Sequence, residues 1–271
     1  MCGLAGIIFG VGPREPADLA QLMAQFTRLL ALSQQRGPHA TGIALLNQDG
    51  RYRLFKRPLA ATQFVEHKSF RALLGSVDDR TTLLLGHTRW RTRGDERVNR
   101  NNHPIRAGHV LGIHNGTIYN ADDLFRRYRL PRFADVDSEL LFRIARTTPD
   151  GRVDVPGFRK RLSNCRGQIA AVMASRRDPN IVLLLKGNNP LELRWNARLR
   201  VLFYASAGSY LDKVRCGGDE WTELVAPAMT LLRFRRDELP VGRSTEITFL
   251  AQATERTDDF ARFRQLSVDD V

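Results

Sequence analysis

The sequence predicts an α+β domain in which β-sheets are stacked on one another. Segments with strand character run along most of its 271 residues, and segments with helical spacing form two main groups, near residues 16–32 and 121–146. From Gly167 onward the pattern is one of strands and turns. A chain with many strands between two groups of helices buries its apolar surface in stacked layers.

The first half of the chain holds both groups of helices. Residues 2–9 are predicted to form a buried strand, because Leu4 to Phe9 is an apolar run. An amphipathic helix is predicted at residues 16–32, where apolar residues recur at helical spacing and Pro16 suits the first turn. The other predicted elements here are strands at residues 43–46, 52–55, 81–87 and 109–114 and helices at residues 66–74, 121–129 and 136–146.

The second half is predicted to consist of strands. Residues 169–175 and 181–186 flank the segment 177–180, whose Asp-Pro-Asn sequence is typical of a turn. Further strands are predicted at residues 199–206, 229–234 and 245–250. We expect one domain over residues 1–250, followed by a polar C-terminal tail, residues 251–271, that is loosely held.

The three cysteines, Cys2, Cys165 and Cys216, indicate a reducing compartment. Their number is odd and none belongs to a Cys-x-x-Cys pair, so neither a disulfide framework nor a zinc site is predicted. No segment approaches the ~18 consecutive apolar residues of a membrane span, and the N-terminus lacks a signal peptide. We therefore expect a soluble, cytoplasmic protein with no metal, no cofactor and no membrane partner.

The net charge of +13 comes mainly from arginine, since only five of the 42 basic residues are lysines. One interpretation is an Arg-rich but solvated surface that reflects a GC-rich genome. The other is a patch for nucleic acid or for an acidic protein. No nucleic-acid-binding motif accompanies the charge, so a nucleic-acid partner is possible but not favoured.

Cys2 is the candidate nucleophile of the chain. An initiator methionine is readily removed when a small residue follows, and Cys2 would then carry both a thiol and an α-amine. The amine has a reference pKa of about 7.7–8.0 against about 8.5 for the thiol, so it can take the thiol proton. Nucleophile and general base would then sit on one residue. The alternative is an incidental thiol on a frayed terminus.

Other polar groups come at the ends of predicted strands, where active sites are often built. Arg89 can grip a carboxylate with two parallel hydrogen bonds. The side-chain amide of Asn115 and the backbone N–H of Gly116 together suit an oxyanion hole. Asp137 can hold a substrate ammonium or cap the helix that it opens. Taken singly, Arg89 also fits a surface arginine and Asn115-Gly116 a turn.

Taken in order, these residues belong to motifs that resemble one family. The motifs are Met-Cys-Gly-Leu-Ala-Gly-Ile, Gln-Arg-Gly-Pro, Gly-His-Thr-Arg-Trp, Asn-His-Pro, His-Asn-Gly-Thr-Ile-Tyr-Asn and Asp-Ser-Glu-Leu. They resemble the class II glutamine amidotransferase domains, which are N-terminal-nucleophile hydrolases. Residues 87–94 are most similar to the glutaminase domain of glucosamine-6-phosphate synthase, and parts of residues 36–38 and 115–120 resemble asparagine synthetase. The likeness is clear over residues 2–141 and fainter over residues 167–207, where Lys186 to Leu191 is similar to another family segment.

The resemblance implies a fold and a set of roles. The fold is a four-layer αββα sandwich of two antiparallel sheets flanked by helices. The resemblance implies that Cys2 is the nucleophile with its α-amine as base, and that Asn115 and Gly116 form the oxyanion hole. It implies that Arg89 and Thr92 bind the substrate carboxylate and that Asp137 binds the substrate amino group. It also implies that Arg36 shapes the surroundings of Cys2 and that His87 and His103 are structural.

The sequence also departs from the family pattern. Arg91 and Arg93 replace the Ala and His of the sugar synthases, and Ser138 replaces the usual Thr. Arg93 is placed to stiffen or block the mouth of the site.

The function that follows is a stand-alone glutaminase that hydrolyses L-glutamine through a thioester and passes ammonia to a separate synthase. The alternatives are another N-terminal-nucleophile amidohydrolase, which retention of Arg89 and Asp137 argues against, and a non-catalytic Arg-rich binding module.

Overall fold

The computed structural model describes residues 1–215 and 220–251 and confirms the α+β prediction. Its strands are β1 Gly3–Phe9, β2 Ala40–Asn47, β3 Tyr52–Arg57, β4 Thr81–Arg89, β5 Ile105–Ala107, β6 Val110–Ile118, β7 Arg166–Ser175, β8 Asp178–Lys186, β9 Glu192–Asn196, β10 Val201–Ala205, β11 Trp221–Leu224, β12 Thr230–Arg235, β13 Gly242–Glu246 and β14 Leu250–Ala251. The first sheet has the order β11-β9-β10-β1-β4-β2-β3, and the second has the order β13-β12-β8-β7-β6-β5. Within these two orders neighbouring strands are antiparallel, whereas β14 runs parallel to β7 and pairs with its first two residues.

The helices lie outside the two sheets. They are α1 Pro16–Ser33, α2 Ala61–Phe64, α3 Lys68–Leu74, α4 Ala121–Arg127, α5 Ser138–Ile144, α6 Val155–Leu162 and α7 Gly208–Val214, with 3-10 turns at Gln34–Arg36 and Asn99–Asn101. Within the described part of the chain, no helix is both long and apolar enough to cross a membrane.

Three apolar clusters separate the layers. One lies between α1, α2, α3 and α7 and the first sheet, one lies between the two sheets, and one lies between the second sheet and α4, α5 and α6. Because each sheet has an apolar layer on both sides, its strands are buried on both faces, as the burial pattern of β1 shows. This is the four-layer αββα arrangement that the resemblance implies.

The structure also corrects several predicted boundaries. The strand expected at residues 109–114 continues to Ile118, and β8 begins at Asp178, inside the predicted turn. The expected strand at residues 245–250 is divided between β13 and β14. The predicted tail lies, from residue 252 onward, outside the described residues, and so does Cys216.

Six elements, α2, α6, α7, β5, β9 and β11, were not predicted from the sequence. Pro156 and Gly157 do not favour a helix in the sequence of α6. The helix nevertheless begins there, because the side chain of Asp154 caps it by accepting a hydrogen bond from the Gly157 N–H at 3.0 Å. Phe158 and Leu162 then anchor α6 against the second sheet.

Gly6 lets one aromatic ring cross the central strand of the first sheet. Gly6 lies opposite Tyr204 of β10 and Leu85 of β4. The hydroxyl of Tyr204 passes over Gly6 and donates a hydrogen bond to the carbonyl oxygen of Leu84 at 3.0 Å. A Cβ on Gly6 would lie 2.0 Å from that hydroxyl oxygen, so only glycine leaves room for the ring.

We expect Gly6→Ala to destabilise the fold by about 1–3 kcal/mol, because the added methyl overpacks the interior and displaces the Tyr204 hydroxyl. Urea unfolding followed by circular dichroism measures the difference. Gly208→Ala is the matched control, since a Cβ there meets its nearest atom at 3.4 Å. Its free energy of unfolding should change by no more than about 0.5 kcal/mol. Equal effects of the two substitutions would contradict the explanation.

Candidate active site

Three strands direct Cys2, Arg89 and Asn115 towards the layer between the sheets. Side chains two residues apart lie on the same face of a strand. The inter-sheet cluster includes Leu4 and Ile8 of β1, Leu83 and Leu85 of β4, and Leu111 and Ile113 of β6. Cys2, Arg89 and Asn115 are separated from these residues by even numbers of positions and therefore lie on the same face of their strands. The alternation that builds the apolar core therefore also brings three candidate residues to its polar end.

The Cys2 thiol is half-buried and lies against the backbone of Trp90. The Trp90 N–H donates to Sγ at 3.3 Å, and the Trp90 carbonyl oxygen is 3.6 Å from Sγ. Burial raises the pKa of the Cys2 thiol, and the Trp90 backbone, the chain-terminal amine and Arg89 oppose this effect. In this chain the amine belongs to Met1, and burial lowers its pKa.

Arg36 supports the same end of β1 from the loop after α1. Its Nε donates to the Cys2 carbonyl oxygen at 3.0 Å, and Nη2 is 3.8 Å from Sδ of Met1. Gly37 follows, and a Cβ there would be 2.4 Å from the carbonyl carbon of Arg89. The Arg-Gly pair therefore fits closely between the start of β1 and the end of β4.

Arg89 is 3% exposed, and its guanidinium is held by its own chain. Nη1 donates to Oδ1 of Asn102 at 2.7 Å, while Nη2 donates to the carbonyl oxygens of Gly94, at 2.8 Å, and of Arg93. An arginine has five N–H donors, so Nε–H and one Nη1–H are left for another acceptor. The surface-arginine alternative is wrong for this residue.

The loop after Arg89 is exposed at residues 91–93. Arg91 forms an ion pair with Glu96 at 3.0 Å, and Arg93 forms one with Asp122 of α4 at 2.9 Å. The Arg93 side chain is therefore directed to α4 and tethers the loop. Thr92 lies in this loop with an exposed side chain.

Asn115 has a buried amide group without a partner. The residue is fully buried, and neither Nδ2 nor Oδ1 has a hydrogen-bond partner among the described residues. Its backbone carbonyl oxygen accepts a hydrogen bond from Nδ2 of Asn189 at 2.9 Å. Buried amides are almost always paired, so this one is available to a ligand or to water. Sequence reasoning missed Asn189, although it lies in the Lys186-to-Leu191 segment.

Gly116 and Asn115 lie inside β6 and do not form the turn that is the usual structure of an Asn-Gly pair. Gly116 has a φ of +145°, and a Cβ there would be 1.8 Å from the carbonyl oxygen of Gln168. Only glycine fits this close approach of two strands. The position predicted at the end of a strand is thus a distorted point within one.

Asp137 does not cap α5 with its side chain. Its Oδ2 instead accepts a hydrogen bond from the backbone N–H of Ile118 at 2.6 Å, and the residue is 4% exposed. Asp137 also interacts electrostatically with Cys2 and Arg89. The helix-cap alternative is therefore wrong, and the carboxylate lies at the end of β6, where Ile118 holds it.

Three buried histidines surround the site. Nε2 of His87 lies 3.1 Å from the His114 carbonyl oxygen and so joins the two sheets, while the His87 ring stacks on His103 at 4.1 Å. His114 bridges Oγ of Ser138, at 2.9 Å, and the carbonyl oxygen of Gln168. Burial lowers the pKa of all three, that of His87 to about 3. Among the described residues no group of three His, Cys, Asp or Glu side chains is arranged to hold a metal ion.

Two groups of curated proteins share this sequence pattern. Over 197 residues, 70% of the chain, it is 29% identical to the glutamine–fructose-6-phosphate aminotransferase (isomerizing) of Geobacillus kaustophilus and covers 30% of that protein. Over 215 residues, 78% of the chain, it is 22% identical to the 7-cyano-7-deazaguanine synthase of Saccharolobus solfataricus and covers 44% of it. The chain thus spans less than half the length of these relatives. No family model matches it.

Solved structures with the same fold confirm the architecture. The glutamine phosphoribosylpyrophosphate amidotransferase of B. subtilis superposes with a TM-score of 0.64 at 19% identity, covering 90% of this chain and 49% of that one. A structure described as the allosteric regulatory enzyme of purine biosynthesis gives a TM-score of 0.65 at 18% identity, with the same coverage. The fold is that of the N-terminal-nucleophile hydrolases.

We expect the buried histidines to make the fold sensitive to acid. Unfolded histidines have a pKa of about 6.5, so below about pH 6.5 the unfolded chain binds more protons than the folded one. The free energy of unfolding should therefore fall as the pH falls from about 6.5 towards 3, by up to ~1.4 kcal/mol per pH unit for each histidine. Urea unfolding at several pH values measures this slope.

His103→Phe is the control for the acid sensitivity. The substitution keeps a ring against His87 and removes one titrating group, so the slope between about pH 6 and pH 4 should decrease by nearly one proton. Carboxylates contribute equally to both proteins. An unchanged slope in the variant would show that His103 is not the source.

Proposed function

We propose that the chain is a class II glutamine amidotransferase domain and that it hydrolyses the side-chain amide of L-glutamine to glutamate and ammonia. The observation that carries this proposal is the buried, unpartnered amide of Asn115, on the same inter-sheet layer as Cys2 and Arg89. A buried hydrogen-bond donor that has no partner among the described residues suits an oxygen that gains negative charge only during the reaction.

The proposed reaction begins at Cys2. The α-amine takes the thiol proton, and Sγ attacks the side-chain carbonyl carbon of glutamine. The carbonyl oxygen becomes an oxyanion that accepts hydrogen bonds from Nδ2 of Asn115 and the N–H of Gly116. The protonated α-amine gives that proton to the departing nitrogen, so ammonia leaves and a thioester remains on Cys2. The α-amine then takes a proton from water as the water oxygen attacks the thioester, and it returns this proton to the departing sulfur, which gives glutamate and the free thiol. The Trp90 N–H, which already donates to Sγ, steadies the thiolate.

The free amine requires removal of Met1, which we propose as the maturation step. β1 begins at Gly3, so the bond between Met1 and Cys2 precedes the sheet, and Met1 is 40% exposed. Burial lowers the pKa of the Met1 amine that precedes Cys2. A lowered pKa favours the unprotonated form of an amine, which is the form that acts as a base.

In this proposal the protein recognises both charged groups of the substrate glutamine, its α-carboxylate and its α-ammonium. The remaining donors of Arg89 bind the α-carboxylate, with Thr92 nearby in the exposed loop, and the Asp137 carboxylate binds the α-ammonium. Arg36 holds the Cys2 backbone. Charge-assisted hydrogen bonds of this kind contribute about 1.5–3 kcal/mol each, which is enough to select a free amino acid over a simple amide.

The destination of the ammonia is proposed to be a separate synthase in the cytoplasm. One group of relatives consists of synthases, the 7-cyano-7-deazaguanine synthases. Intact mass spectrometry of the protein purified from its native cells would show whether a further domain is joined to this chain, and chemical cross-linking in the same cells would identify the partner.

We expect Cys2→Ala and Cys2→Ser to reduce ammonia release from glutamine to background, because both remove the thiolate while leaving the fold intact. A diazo-ketone analogue of glutamine should label Cys2 alone. Cys165 should stay unlabelled because burial raises its pKa to about 12. Peptide mapping identifies the labelled site, and intact mass shows whether one methionine has been lost.

Asn115→Ala distinguishes the contribution of the oxyanion hole from that of the nucleophile in the same experiment. Its kcat should fall by about 10²–10³-fold, the cost of one lost oxyanion donor, while Cys2 is still labelled. Labelling of Cys165 or Cys216 with turnover intact, or an active enzyme that retains Met1, would contradict the mechanism.

We expect Arg89→Lys to lower kcat/KM for glutamine about thirtyfold, because a lysine keeps the charge but loses the planar fork, at a cost of ~2 kcal/mol. Asp137→Asn should lose a similar amount, mainly through KM. Steady-state ammonia assays measure both.

A simple activated amide or thioester serves as the control substrate. Both variants should hydrolyse it at the wild-type rate, since Cys2, Asn115 and Gly116 remain. If glutamine turnover proves indifferent to both substitutions, the broader amidohydrolase function replaces the glutaminase.

A further inference from the structure

Lys56 is a half-buried cation that the proposed reaction does not use. It lies on β3, at the edge of the first sheet, two strands away from Arg89 on β4. Its Nζ donates to the carbonyl oxygens of Asn102, at 2.6 Å, and of Pro104, at 3.1 Å. Burial, assisted by the nearby Arg89, lowers the pKa of Lys56 to about 8. The burial of this ammonium and its two hydrogen bonds indicate that it fixes the segment of residues 102–104.

Gly42 explains how Lys56 reaches those carbonyl groups. One row across the first sheet contains Lys56, Gly42 and His87, because Gly42 is paired with Lys56 on one side and with His87 on the other. A Cβ on Gly42 would lie 2.1 Å from the carbonyl oxygen of His103. The segment of residues 102–104 therefore rests directly on the sheet at Gly42, and Lys56 grips it on both sides of His103.

The gripped segment is the one that orients Arg89. Oδ1 of Asn102 accepts the hydrogen bond from Nη1 of Arg89, and Nδ2 of Asn102 donates to the carbonyl oxygen of Glu96 at 2.6 Å. A continuous path of hydrogen bonds thus leads from the Lys56 ammonium through Asn102 to the guanidinium. Lys56 therefore helps to fix Asn102, and Asn102 orients the Arg89 guanidinium together with the carbonyl groups of Arg93 and Gly94.

We infer that Lys56 is a positioning residue that sets the affinity for the substrate carboxylate by holding the Asn102 segment against Arg89. This inference rests on the proposed function for the identity of the substrate. Lys56 touches neither the substrate nor Cys2 in this scheme, so its removal should alter binding and leave the chemical step unchanged.

Lys56→Met tests the inference, because it keeps the aliphatic stem and removes the donor. We expect KM for glutamine to rise about tenfold with kcat within about twofold, and turnover of the activated amide to stay at the wild-type rate. Lys56→Arg, which restores charge and donors, should recover part of the affinity. Lys68→Met is the matched control, since Lys68 is an exposed lysine at the start of α3, and it should behave like the wild type.

A double-mutant cycle with Asn102→Ala identifies the path. Once Asn102 has lost its hold on Arg89, Lys56→Met should raise KM no further, whereas independent effects would multiply. An unchanged KM in Lys56→Met, a fall confined to kcat, or multiplying effects would each overturn the inference.

Hydrogen exchange measured by mass spectrometry gives a readout that does not need turnover. Residues 94–104 should exchange faster in Lys56→Met than in Lys68→Met, because the grip on the segment is lost. Equal exchange would overturn the inference whatever the activity. Faster exchange together with a wild-type protein that releases no ammonia from glutamine would show that the grip exists and that the proposed function, and with it the role in substrate binding, is wrong.

Discussion

The site depends on one constraint, which is that the two sheets pack their inner faces against each other around a shared apolar layer. Any polar side chain that points into this layer has to find a partner there or stay available for a ligand. Arg89 finds carbonyl oxygens of its own loop, and His87 finds a carbonyl group of the opposite sheet. Asn115 finds none among the described residues. Arg89 and His87 are thus held by the fold, whereas the amide of Asn115 is available to a ligand.

The sequence predicted the architecture well where periodicity was clean. The apolar run after Cys2, the helix that became α1 and the strands on either side of residue 175 all follow from spacing, because burial of a face dictates which positions must be apolar. β9 was missed even though Leu191, Leu193 and Trp195 alternate and enter the inter-sheet core. Arg194 lies at the intervening position on the other face of β9, where it is buried and forms ion pairs with Asp212 and Glu223.

The site was predictable as a set of residue types but not as a geometry. Order along the chain pointed to Cys2, Arg89, Asn115 and Asp137, and strand alternation places the first three on one layer. Nothing local in the sequence shows that the Asp137 carboxylate accepts a backbone N–H instead of capping α5. The long-range contacts of the site, such as Asn189 on the Asn115 carbonyl oxygen, join residues far apart in the chain and need the fold itself.

The surroundings of Cys2 act in opposite directions on its thiol and on the chain-terminal amine of Met1 beside it. Burial raises the pKa of the thiol and lowers that of the amine, since both shifts favour the neutral form of a group taken out of water. The Trp90 backbone and Arg89 act on the thiol in the other direction and favour the thiolate. In the proposed mechanism these two effects have separate uses. Burial favours the neutral thiol before the substrate binds, and the contacts with Trp90 and Arg89 stabilise the thiolate that forms when the proton passes to the amine.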